Sequence, residues 1–184
     1  MALTESQMAM LSVVGVEGFT TTAIAALATS QIVALSATQI GGLSDTQIAA
    51  LTTTQLESLT RTQISGLTAT EIAALNATQL TGLTATQISA LTIPQLDTLT
   101  STAVGVLTAT QLAALSTTQI SALSTTAIVG LTSAQFSELT ARQLASLTSS
   151  QFGALTTTQI RTLTTTQLGL LTLSTSGATA AGRG

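Results

Sequence analysis

The 184-residue chain contains no cysteine, histidine, lysine, tyrosine or tryptophan, and only one proline, three phenylalanines and 6% charged residues. Without cysteine there is no disulfide, so the redox compartment is not legible. Without histidine, lysine or cysteine, the many hydroxyls have only a few carboxylates as possible activators, which argues against an enzyme. Four arginines against seven acids give a net charge of −3 and no basic patch, which argues against nucleic acid as a partner. Apolar residues make up 45% of the chain, but threonine, serine or glutamine interrupts every apolar run well short of about 18 residues, so no transmembrane segment is expected. The opening "MALTESQM" has no basic region and is not an ordinary secretory signal. The sparse aromatics leave leucine and isoleucine as the main large core side chains.

What is present is a repeat of eight. From Leu3 to Leu171 every eighth residue, 22 positions in all, is leucine except Phe19. Numbered from that leucine, column six holds only Ile, Leu, Val, Met or Phe, from Met8 to Leu168. Eight residues overshoot two helical turns by about 80°, so one uninterrupted helix would wind its apolar stripe round the rod. Something must restart at every octad.

Columns two and five supply the restart. Column two is Thr, Ser or Asn at every position but Ala28, and column five is Gln at 16 of 21 positions, with Glu71 the one acid. Thr/Ser-x-x-Gln/Glu is the capping box: the hydroxyl accepts from the N3 amide, and the N3 side chain accepts from the cap's own N–H. The apolar residues on either side form a hydrophobic staple. The central octads predict caps at Thr52, Gln55, Thr60, Gln63, Thr68, Glu71, Asn76, Gln79, Thr84 and Gln87. The same octads predict core positions at Leu51, Leu56, Leu59, Ile64, Leu67, Ile72, Leu75, Leu80, Leu83 and Ile88. Pro94 falls at a second helical position, where no intrahelical bond is lost. Columns three and seven carry seven of the eleven charges and read as solvent-facing, while Gly42, Gly66, Gly82 and Gly130 in column eight read as helix ends and close-stacking points.

The predicted fold is all-α: a solenoid of very short capped helices, one per octad, over residues 3–172, with an irregular stretch at 13–18 and a flexible tail at 173–184. The competing fold is a β-solenoid with two octads per coil, whose Thr-x-Thr arrays would resemble an ice-binding face. Helices this short are not stable alone, so octads must stack. Either the irregular "VVGVEG" is an N-terminal cap or it is a hydrophobic docking end.

At these columns the chain resembles the bacterial octapeptide arrays, L-T-x-x-Q-I-x-x, of exported or surface proteins described as adhesin-like or as haem-utilisation proteins. That resemblance implies an extracellular or cell-surface structural protein. It brings no catalytic, cofactor or metal residue onto any position here, and nothing in the chain could ligate haem iron through His, Cys or Tyr. Asn76 in "NAT" matches a glycosylation acceptor, but capping already explains it. Glu71 is the best isolated candidate for chemistry, and its plain reading is a capping-box variant. The expected role is therefore a structural repeat protein that associates with itself, as a filament or surface fibre, with a peptide-binding scaffold as the alternative class and no cofactor or metal.

Overall fold

A computed structural model describes residues 3–169, so the tail expected at 173–184 lies outside the described residues. These residues form short α-helices, with no strand among them. The β-solenoid alternative is thereby overturned, and the ice-binding reading that depended on it goes too. Column one and column six lie five residues apart. On one short helical turn and its flanking corner both can point inward, whereas strict alternation would send them to opposite faces of a sheet.

The chain divides into two compact units, Met1–Thr98 and Leu99–Gly184. The first holds α1 (Glu5–Ala9), α2 (Val13–Glu17), α3 (Thr21–Ala26), α4 (Thr29–Val33), α5 (Ala37–Ile40), α6 (Asp45–Ala49), α7 (Thr53–Ser58), α8 (Arg61–Gly66), α9 (Ala69–Ala73), α10 (Ala77–Gly82), α11 (Ala85–Ile88) and α12 (Ile93–Asp97). The second holds α13 (Ser101–Gly105), α14 (Ala109–Ala113), α15 (Thr117–Ala122), α16 (Thr125–Gly130), α17 (Ser133–Ser137), α18 (Ala141–Ala145), α19 (Ser149–Gly153) and α20 (Thr157–Arg161), and a further helical turn spans 165–169.

Within each unit a helix packs against the third helix along: α1 on α4, α2 on α5 and α3 on α6 in the first, α13 on α16 and α17 on α20 in the second. One coil of the solenoid is therefore three octads, or 24 residues. Between helices the chain turns at an extended N-cap, for example Thr52 at φ −69° and ψ 157°. The predicted core residues Leu51, Leu56, Leu59, Ile64, Leu67, Ile72, Leu75, Leu80, Leu83 and Ile88 are all at most 6% exposed. The charged residues of columns three and seven, including Asp45, Glu57, Arg61 and Asp97, are exposed.

The two large apolar columns face different neighbours. In the first coil the column-six residues Met8, Val16 and Ile24 are fully buried, but the column-one residues Leu3, Leu11 and Phe19 are half-exposed. In the last described octads the pattern reverses: Leu155 and Leu163 are buried while Phe152 is half-exposed and Ile160 exposed. Column six packs on the following coil and column one on the preceding coil.

The column-eight glycines stand where helices end, as expected: α8, α10 and α16 finish at Gly66, Gly82 and Gly130. No described residue, glycine included, has a positive φ, so none makes a left-handed C-cap. They also permit the close approach expected of them. A Cβ on Gly66 would run into Ala37 of α5, and one on Gly130 would overlap the backbone of Ser101 in α13.

Candidate functional site: the glutamine corner

Each octad opens on a corner whose hydrogen bonds are local. In α7 the Gln55 N–H donates to Thr52 Oγ1 at 3.2 Å, and the Thr52 N–H donates to Gln55 Oε1 at 2.8 Å. The same reciprocal pair joins Thr60 with Gln63, Asn76 with Gln79 and Thr84 with Gln87. Thr68 and Glu71 complete the predicted set, the Thr68 N–H donating to the Glu71 carboxylate. Where column two lacks a hydroxyl, half of the box survives: the Ala28 N–H still donates to Gln31 Oε1 at 2.7 Å.

The other half of the glutamine side chain does something the sequence reading missed. Gln87 Nε2 donates to the carbonyls of Leu56 at 2.8 Å, Glu57 at 3.2 Å and Leu59 at 2.8 Å. Those carbonyls belong to the last turn and C-cap of α7, one coil below, where a helix runs out of its own donors; only the Leu59 N–H still reaches back, to the Leu56 carbonyl at 3.1 Å. Gln55 does the same to Ile24, Ala25 and Leu27 in the first unit, and Gln143 to Leu112 and Leu115 in the second. One amide thus caps the start of its own helix with its oxygen and the end of another with its nitrogen, across 28 to 31 residues of chain.

This double duty explains why the glutamines are buried. Gln55, Gln63, Gln79, Gln87 and Gln95 are each at most 3% exposed, and among the described residues no buried side-chain nitrogen or oxygen lacks a hydrogen-bond partner. It also gives a reason for the irregular stretch near the start. The three column-five positions of the first coil are Gln7, Gly15 and Ala23, and no described coil lies beneath them. Gln7 is exposed, with its oxygen accepting from the Thr4 N–H at 2.9 Å.

Glu71 stands in the same buried place, 2% exposed, as the one acid of the column. Its carboxylate accepts the Thr68 N–H but, when ionised, has nothing to donate downwards. Burial pushes its pKa above the ordinary carboxyl value. The Thr68 backbone and side-chain hydrogen bonds pull it down, and the neighbouring Asp45 charge adds to the rise.

Among the described residues no group of three or more His, Cys, Asp or Glu is arranged to hold a metal ion, and no helix is long and apolar enough to cross a membrane. Residues 24–61 match the family of the ALTTAQ repeat, and the segment Ala50–Gln55, "ALTTTQ", lies inside that match. No curated protein and no solved structure matches the chain. The chain is a repeat protein built as an all-helical solenoid, with a stretch similar to the ALTTAQ repeat.

Proposed function

We propose that this is a structural, non-catalytic repeat protein that assembles with copies of itself, end to end, into a filament or surface fibre. The observation that carries the reading is the pair of uncovered apolar rows. Column one of the first coil (Leu3, Leu11, Phe19) is half-exposed, and so is column six of the last described octads (Phe152, Leu168), with Ile160 more open still. Inside each unit those two columns are the surfaces that pack coil on coil. A head-to-tail contact between copies would repeat that packing, and such a contact propagates as a filament when its rotation does not close a ring. With Gly15 and Ala23 in place of glutamine, the apolar rows rather than amide bonds would carry most of such a contact. Low charge, 6% of residues, leaves little electrostatic repulsion to oppose it.

The resemblance to bacterial octapeptide arrays favours an exported or cell-surface setting. Sedimentation velocity and negative-stain electron microscopy over a concentration series test the proposal. Concentration-dependent polymers of constant width are the expected result, and weakening them with Phe19→Asp ties them to the predicted face. Monomers throughout, at high concentration, would refute it.

A further inference from the structure

Every buried column-five glutamine whose amide contacts are described reaches down to carbonyls one coil below, at 28, 30 or 31 residues back. For Glu71 those positions are Leu43, Gly41 and Ile40, and Gly41, Leu43 and Glu71 line one shallow recess on the first unit. The carboxyl therefore sits where an amide nitrogen would point at the C-terminal carbonyls of α5. The acids Glu17 of α2 and Asp45 of α6 line the same recess, and α12, packed on α9, carries only Asp97 as an ionisable group. No arginine lines it. An ionised carboxylate there would face carbonyl oxygens and two further negative charges, with no donor left to offer.

We propose that Glu71 makes this corner a proton-gated joint. Carrying a proton, its carboxyl substitutes for the glutamine amide: one oxygen accepts the Thr68 N–H and the O–H donates to the Gly41–Leu43 carbonyls beneath. Without the proton the downward link is lost, and the corner between α8 and α9 loosens from the coil below. The direction of the pKa agrees, since burial and Asp45 both disfavour the anion. The sign follows from linkage. A carboxyl whose folded-state pKa is raised contributes its full stability below the ordinary glutamate value and loses it as pH rises towards the raised one.

Comparison of the wild type with Glu71→Gln tests this, because the variant installs the side chain used at the other linked corners. Melting and amide exchange would be followed from about pH 4 to about pH 8, a range that starts near the ordinary glutamate value. Wild type and variant should be nearly equal at the acid end. With rising pH the wild-type corner amides, those of Gly41, Leu43 and Thr68, should gain exchange rate relative to the variant by about tenfold per pH unit until the raised pKa is passed. A wild-type-to-variant ratio that stays constant across the range would overturn the proposal. So would rescue of the wild type alone by added calcium at neutral pH, which would put a cation rather than a proton at the joint.

Discussion

The sharpest test of the glutamine corner is Gln87→Glu. The substitution keeps size, shape and the Oε1 that accepts the Thr84 N–H at 2.8 Å, and it puts negative charge at N3, where the helix dipole favours it by about 0.3–1 kcal/mol. A purely local capping box would therefore be unchanged or slightly strengthened. What the substitution removes is the Nε2 donor to the Leu56 and Leu59 carbonyls, each 2.8 Å away and belonging to residues at most 4% exposed. A buried polar group left unpaired costs about 1–3 kcal/mol, and a carboxylate facing carbonyls adds repulsion. The net expectation is a loss of about 2–4 kcal/mol at neutral pH, read by urea denaturation followed by circular dichroism.

The internal control is Gln7→Glu. Gln7 is exposed, has the same local box with Thr4 and has no described coil beneath it, so the change should be neutral or stabilising by a few tenths of a kcal/mol. Equal effects at the two positions would refute the coil-to-coil role of the amide.

Thr84→Ala removes the Oγ1 that accepts the Gln87 N–H and donates to Gln87 Oε1 at 3.1 Å, and should cost about 0.5–2 kcal/mol in the same denaturation assay. Leu83→Ala empties a 3% exposed core position and should cost about 2–5 kcal/mol. A close-packed glycine and an open one should behave oppositely. Gly130→Ala forces a Cβ into the Ser101 backbone and should destabilise by about 1–3 kcal/mol, whereas Gly153→Ala meets nothing within 4 Å at an exposed helical site and should stabilise by about 0.4–1 kcal/mol.

Most of the architecture was readable because each octad repeats a local signal: Thr52, Gln55 and their equivalents define helix starts through contacts only three residues long. The number of helices per coil was not readable. It depends on how corners such as Thr84–Gln87 settle over Leu56–Leu59, a contact that the register of a single octad does not contain. Column eight was legible as helix ends and close-stacking points, but not in its backbone geometry. Helices do end at Gly66 and Gly130, and both lie against a neighbouring coil, but only the φ values tell that these ends are not left-handed caps.

A trace of the missing contact was nevertheless in the sequence. At N3 a capping box accepts glutamate as readily as glutamine, and the helix dipole prefers the acid. Yet this chain has 16 glutamines and one glutamate in the column. A position that consistently declines the electrostatically better residue needs what glutamine has and glutamate lacks, a donor. The departures from glutamine then become informative in turn. Gly15 and Ala23 occur in the first coil, where no described carbonyl waits below, so the same rule that makes Gln87 necessary makes those two dispensable. Ala103 and Ala127 also lack the donor outside the first coil, and Ala127 is fully buried in α16 where it packs on α13, so the rule does not reach those two. Glu71 is the one departure that keeps a long polar side chain: it sits in a stacked corner with carbonyls beneath, and only a protonated carboxyl supplies the donor that the neighbouring corners at Gln63 and Gln79 obtain from an amide.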